Sequence, residues 1–349
     1  MSPQVTAAVI AVSGVVLTVI ATVAVQISGR RATSRDTQKA LEEQRKQLDR
    51  TLAEQRTRTL NERFATAAGR LGSDKPPAVR LAGVYAMAGL ADDWPENRQT
   101  CVDVLCGYLR MPYEPDPGQD APGPERLAFR ASREVRHTVI RVITARLKDD
   151  TAKSWQGLDF DFTGAVFDGA DFSGAEFSGG EVDFSGAEFF GGEVSFDVAK
   201  FSGGWVSFSG AKFSGGEVSF DDAEFSGGRV DFRGAEFSGG EVGFRLAEFS
   251  GGEVSFYEAK FSGGEVSFYG AEFSAGYVDI HSAEFSGGTV IFREAKFSGG
   301  TVGFHYAEFS GGTVDFRSPG DWSCPPKFPW TGTPPPCVVL TEKKDQFQE

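Results

Sequence analysis

The chain has 349 residues, with 44 Gly and 32 Phe but only 3 Met and 3 His. That bias excludes an average globular core and points to a repeat with fixed positional demands. The formal net charge of −14 is unevenly placed: residues 157–317 carry 27 acidic and 9 basic side chains, a balance of −18, and the remainder stands at +4. Such an array repels nucleic acid. It attracts basic partners, or serves only to keep a stacked β surface soluble. Four cysteines in a chain of this length make no disulfide framework, and Cys324 and Cys337 have neither zinc-site spacing nor a nearby His.

In chain order, Val5 to Ile27 is an uncharged apolar run of 23 residues. As a helix it would be roughly 34 Å long, enough to cross a bilayer core. A signal peptide would want a basic segment before a shorter apolar run, and Met1 to Gln4 hold no Lys or Arg. Residues 5–27 are therefore expected to be a transmembrane helix and the chain's contact with the membrane. Arg30, Arg31, Arg35 and Lys39 follow at once, so the positive-inside rule predicts a single-pass cell-membrane protein with its bulk in the cytoplasm. Thiols in a reducing compartment fit that topology.

Residues 33–71 are rich in Glu, Gln, Arg, Lys and Ala, which predicts a helical stalk. Leu41, Leu48 and Leu52 hint at a heptad stripe that Gln55 interrupts, so a coiled-coil homodimer is one reading of it. Residues 76–149 are predicted to form a small α-helical domain, opened by the helix break at Lys75-Pro76-Pro77. Val79, Ala82, Gly83, Ala86 and Leu90 recur at helical spacing, and Trp94-Pro95 ends that helix. The next helix places Val102, Leu105, Cys106 and Leu109 on one face, where Cys101 and Cys106 read as small buried thiols. Five prolines between Pro112 and Pro124 mark a loop. Glu125 to Lys148 resumes helix, with Val135, Val139, Val142, Ile143 and Leu147 as its apolar stripe. His137 lies there among Arg133, Arg136 and Arg141 and reads as a solvated or hydrogen-bonded side chain rather than a catalyst.

The array at 157–317 has an explicit register. Phe162, Phe167, Phe172 and Phe177 are five apart, with Ala165, Ala170 and Ala175 each two before a Phe. From there the period is twelve. One Phe series runs from Phe177 through Phe189 and Phe201 to Phe309, and a second from Phe184 through Phe196 to Phe316, with Ile280 as its one substitute. Each unit reads A-[EK]-F-S-G-G-x-V-x-F-x-x. This pattern resembles the pentapeptide-repeat family, whose unit is roughly A-[DN]-[LF]-x-x. Residues 162–177 match directly; afterwards Ala187-Glu188-Phe189 matches and Val182-Asp183-Phe184 has Val for Ala, with two extra residues such as Gly180-Glu181 between steps. The helical segment from Glu62 to Arg110 is also similar to the domain that precedes such repeats in membrane-anchored bacterial members. The resemblance implies an all-β solenoid, a right-handed quadrilateral β-helix with Phe and the preceding Ala inside. It implies little about function, because many roles sit on this scaffold.

The physical chemistry agrees. Phe with a small or β-branched partner two residues earlier alternates large and small, so stacked coils interdigitate. Gly-Gly after Phe-Ser lets the chain turn with positive φ. Two dodecamers make a coil of 24 residues, in which Lys200 stacks between Glu176 and Glu224; a coil of twelve would place Lys200 beside Lys212. Residues 318–349 leave the repeat. Trp322, Phe328 and Trp330 are expected to cover the last Phe layer, with a tail from Lys343. Pro326-Lys327-Phe328-Pro329 reads as part of that cap rather than as an SH3-type ligand.

No GxxxxGK[ST], GxGxxG, HExxH, GxSxG or CxxC occurs, and no Ser of an SGG corner has a fixed His partner, so no catalytic, cofactor-binding or metal-ligating residue is nominated. His281 and His305 fall on a variable outer position. The leading expectation is a non-enzymatic, membrane-tethered scaffold or regulatory module, with an unknown protein partner on the β-helix surface and no direct nucleic-acid binding by the repeat. The alternative is an acidic DNA mimic that inhibits a nucleic-acid-binding enzyme such as gyrase, as some members of the resembled family do.

Overall fold

The computed structural model describes residues 3–72, 74–114, 116–148 and 153–340, with side chains from residue 37 onward. Two compact units divide the chain, Met1–Glu62 and Arg63–Glu349. The described residues of the first unit are helical throughout and belong to α1 (Pro3–Leu71). Leu41, Leu48 and Leu52 are exposed along it. Among the described residues no helix is long and apolar enough to cross a membrane; the span expected at 5–27 lies where side chains are outside those residues.

The second unit starts with the end of α1, where Ala67 and Leu71 are buried. Three helices follow: α2 (Pro77–Asp93), α3 (Arg98–Arg110) after a short 3-10 turn at Pro95–Asn97, and α4 (Gly123–Leu147). Proline stands in the first turn of α2 and of α4, where its missing N–H costs nothing. The apolar stripes of α3 and α4 are buried as the spacing predicts, from Cys101 to Leu109 and from Val135 to Leu147.

The stripe expected on α2 is buried at Gly83 and Leu90 but not at its start. Val79 and Ala82 are exposed, and the buried face is Gly83, Val84, Met87, Ala88, Leu90 and Ala91. Gly83 sets that phase: a Cβ there would lie 3.0 Å from the Cβ of Arg70 and 3.1 Å from the backbone nitrogen of Leu71, so α2 crosses the end of α1 at this glycine.

From Phe160 onward the chain winds as a parallel β-solenoid with four ladders. Residues 24 apart are neighbours, as in Val206, Val230 and Val254. The first ladder stacks Phe177, Phe201, Phe225, Phe249, Phe273 and Phe297. The second stacks Val182, Val206, Val230, Val254, Val278 and Val302. The third stacks Phe189 to Phe309 and the fourth Val194 to Val314. Two strands of eight residues, Glu176–Asp183 and Lys200–Ser207, run unbroken across the first and second ladders. The opening coil is two residues shorter, pairing Phe160 with Val182 and Val166 with Glu188, because its units are still of five.

Coils in the middle of the array bury four aromatic rings, and the coil in which Ile280 stands for Phe buries three. Phe184, Phe208, Phe232 and Phe256 form one face-to-face column at centroid spacings of 4.8 Å. Phe208 meets Phe196 and Phe220 edge-on at 5.8 and 5.7 Å. The edge-on contacts across the axis are a favourable quadrupole arrangement, and the parallel rings along it add buried apolar area.

The two ends are closed differently. At the start, Trp155 is fully buried and the helical layer packs on the opening coil through α3 and α4. At the far end Trp322 lies edge-on to Phe297, Trp330 edge-on to Phe309, and Phe328 against Phe304, as the cap reading anticipates. That reading stops the ladders too early. Strand Val338–Leu340 pairs with Thr313–Phe316 and adds a rung to the fourth ladder, so the segment beyond 317 also completes a coil. Pro335 redirects the chain into that rung, its carbonyl accepting from Val338 N–H at 2.9 Å.

Candidate interaction surface

The inward residues are spent on packing, so any recognition by the solenoid falls to outward positions. These stack in register, and at the roughly 4.8 Å spacing of strands like charges in one column repel. On the third ladder the column reads Glu188, Lys212, Glu236, Lys260, Glu284 and Glu308. Lys212 pairs with Glu188 at 2.9 Å and Lys260 with Glu236 at 3.2 Å. On the first ladder Lys200 lies between Glu176 and Glu224, and Lys296 pairs with Glu272 at 3.4 Å. The second mixes Glu181, Trp205, Arg229, Glu253 and Tyr277, with Arg229 3.6 Å from Glu253.

The fourth ladder differs. Glu193, Glu217, Glu241 and Glu265 follow one another with no basic residue in the column, and Thr289 and Thr313 end the run. Asp197 and Asp221 flank it, each on the residue after an inward Phe. Partial burial, then the neighbouring Glu241 and Glu193, push the carboxyl of Glu217 up; burial likewise raises Asp221. Among the described residues the column's ion pair is Arg245 with Glu241.

The same corner adjoins the helical layer. Asp168, buried in the opening coil, gathers three side chains. Arg133 Nε donates to its Oδ2 at 3.0 Å, Tyr113 donates its hydroxyl to Oδ2 at 2.7 Å, and His137 Nε2 lies 3.2 Å from Oδ1. Burial opposes the charge of Asp168, and hydrogen bonds from His137 and Tyr113 with the charge of Arg133 outweigh it, leaving its pKa below the usual carboxylate value. His137, which the sequence leaves as solvated or hydrogen-bonded, is thus part of the docking contact between α4 and the first coil. Gly169 allows the approach: a Cβ there would meet Arg133 at 3.1 Å and His137 at 3.2 Å. Beside this contact a cleft of about 520 Å³ opens between Arg141 and the start of the acidic column at Glu193 and Asp197.

His281 is half-buried, its ring 5.2 Å from Tyr257, and His305 is exposed, so both lie on the outer surface. Among the described residues no group of three or more His, Cys, Asp or Glu is placed to hold a metal ion.

Four parallel ladders around an aromatic core define a solenoid repeat protein. Residues 159–191 match the family model for pentapeptide repeats, with eight copies. The opening coils of this solenoid thus carry pentapeptide repeats. No curated protein and no solved structure gives a significant match.

Proposed function

We propose that this chain is a non-enzymatic scaffold, tethered to the cell membrane by residues 5–27, whose right-handed quadrilateral solenoid presents its fourth face in the cytoplasm to a basic protein partner. The observation that carries this is the column Glu193, Glu217, Glu241 and Glu265, which holds no basic residue and is met from outside by Arg245 at Glu241, set against columns on the other faces that each contain Lys or Arg. A run of carboxylates spaced by the coil rise complements an extended or helical segment bearing Lys and Arg. The test is capture of partners from a detergent extract by the full chain, at low and high salt. The reading requires a basic partner that is released by salt and lost when Glu217 and Glu241 are both changed to Gln. Capture unaffected by either condition refutes it. A reporter active only in the cytoplasm, fused after Glu349, should be active; activity of an export-dependent reporter there reverses the topology.

The same carboxylate column supports a second reading, mimicry of a nucleic-acid backbone to inhibit an enzyme such as gyrase. Supercoiling by gyrase in the presence of the purified chain separates the two. Inhibition that disappears in the double Gln variant favours mimicry.

A further inference from the structure

A second cleft is lined by residues of the helical layer. It has a volume of about 320 Å³ and is walled by Arg80 of α2, Tyr108 of α3, Arg136 and Ser132 of α4, and the turn Met111-Pro112-Tyr113. No carboxylate lines it.

Arg136 is 4% exposed. One of its terminal nitrogens donates to the Val166 carbonyl at 2.7 Å, and its guanidinium carbon lies 4.3 Å from the centre of the Tyr113 ring. Arg80 donates through Nη1 to the Tyr108 hydroxyl at 3.0 Å, while its Nε is buried without a hydrogen-bond partner. Among the described residues neither guanidinium forms an ion pair; Asp168, whose charge also acts on Arg136, is already held by Arg133, His137 and Tyr113. Burial pushes the pKa of Arg136 down, which marks a cation taken from water without full compensation.

Two guanidiniums lining one cleft, one with an orphaned donor, describe a site lacking its anion. Their combined charge is balanced by a dianion, and guanidinium forks match the oxygens of a phosphoryl group. The lining residues Met111 and Pro112 are apolar and suit an organic group on that phosphate. The cleft's volume is at the small end for organic ligands. We propose that this cleft binds a phosphate monoester, its phosphoryl oxygens on Arg80 and Arg136 and its ester group against Met111 and Pro112. The site is independent of the partner surface on the solenoid.

The test uses the full chain in a non-ionic, phosphate-free detergent, titrated calorimetrically with phenyl phosphate and with inorganic phosphate. Phenyl phosphate is expected to bind saturably, with a dissociation constant of about 1 mM or below, and inorganic phosphate more weakly. Arg80→Gln removes the half-exposed arginine and leaves Arg136 in place; Ser132→Asp puts a negative charge on the wall. Each should weaken phenyl phosphate at least ~10-fold while the thermal midpoint without ligand stays unchanged. Vesicles containing phosphatidate that compete with phenyl phosphate assign the source to a lipid headgroup, and failure to compete assigns it to a soluble ester. Absence of saturable binding, or equal affinity in the parent and both variants, overturns the proposal.

Discussion

Phe232 is the most direct probe of the solenoid core. It is fully buried, stacked at 4.8 Å on Phe208 below and Phe256 above, and edge-on to Phe220 at 5.8 Å and Phe244 at 5.9 Å. Truncation to Ala removes the ring from a column whose backbone spacing is fixed by ladder hydrogen bonds, such as Phe232 N–H to the Ser255 carbonyl at 2.6 Å. The coils therefore cannot close over the gap, and the cost should reach the upper part of the ~3–5 kcal/mol range for buried Phe→Ala. Each coil touches only its neighbours, so the loss stays local. Hydrogen exchange and limited proteolysis should show loosening from about Phe208 to Phe256, with both ends of the array protected as before. Arg233, the next residue, points outward and lies 5.5 Å from the Tyr257 ring centre; Arg233→Ala should cost less than ~1 kcal/mol. Equal destabilisation by the two substitutions would show that the inward register is wrong. Loosening spread evenly over all coils would show that the unit is not a nearest-neighbour stack.

Glycines at the two kinds of corner should respond differently. Gly228 has φ +65°, and a Cβ would lie 2.6 Å from the Gly204 carbonyl oxygen of the coil below, whereas Gly234, at φ +62°, faces open space. Gly228→Ala should cost more than ~2 kcal/mol and Gly234→Ala about 1 kcal/mol, measured by urea unfolding; similar values would refute the distinction. Because Glu217 is held above its ordinary pKa, the folded state binds its proton more readily than the unfolded one, and this carboxylate weakens the fold as pH rises past that range. Glu217→Gln should thus stabilise near neutral pH and lose its advantage by about pH 4; a gain that persists there would contradict the column's repulsion. Burial pushes the Cys106 thiol up to about 12 and the Cys101 thiol up to about 11. Iodoacetamide should label exposed Cys324 first and leave Cys101 and Cys106 untouched until the helical layer unfolds, so early labelling of either would show that α3 is not buried as described.

The coil was legible because its constraint is positional. A Phe every five or seven residues, with Ala or Val two before it, leaves only one register that buries every ring, and the Lys200 column distinguishes 24 residues per coil from twelve. The final rung at Val338–Leu340 was not legible, since Cys337 and the prolines before it break the repeat and only the pairing with Val314 restores it. The start of the α2 stripe was missed for a related reason. Its apolar residues are spread widely enough to allow two stripes, and the choice is made by a backbone approach at Gly83 to residues on another helix. The junction at Asp168 and the cleft at Arg80 and Arg136 depend on side chains brought together from separate helices and the first coil. Nothing local to Arg80 or Arg136 sets them apart from the other arginines of the helical layer.

The charge columns bear on whether acidity here does more than keep the rod dispersed. Solubility is served by charge anywhere on the surface, and the third ladder shows the inexpensive form, with Lys212 and Lys260 each answering a Glu below. The strand spacing is common to all faces, so the repulsion of stacked glutamates is no smaller on the fourth than elsewhere. The G-G-x-V slots of the fourth face hold four successive glutamates, where the first face has three, Glu224, Glu248 and Glu272, closed at both ends by Lys200 and Lys296; the run on the fourth face stops at Thr289 with two rungs still to come, at Val314 and Val338. A purely solubilising role gives no reason for a boundary at that point or for the lack of Lys and Arg in this one column. A docking strip about four coils long, beginning beside Arg141 at the junction with the helical layer, accounts for both.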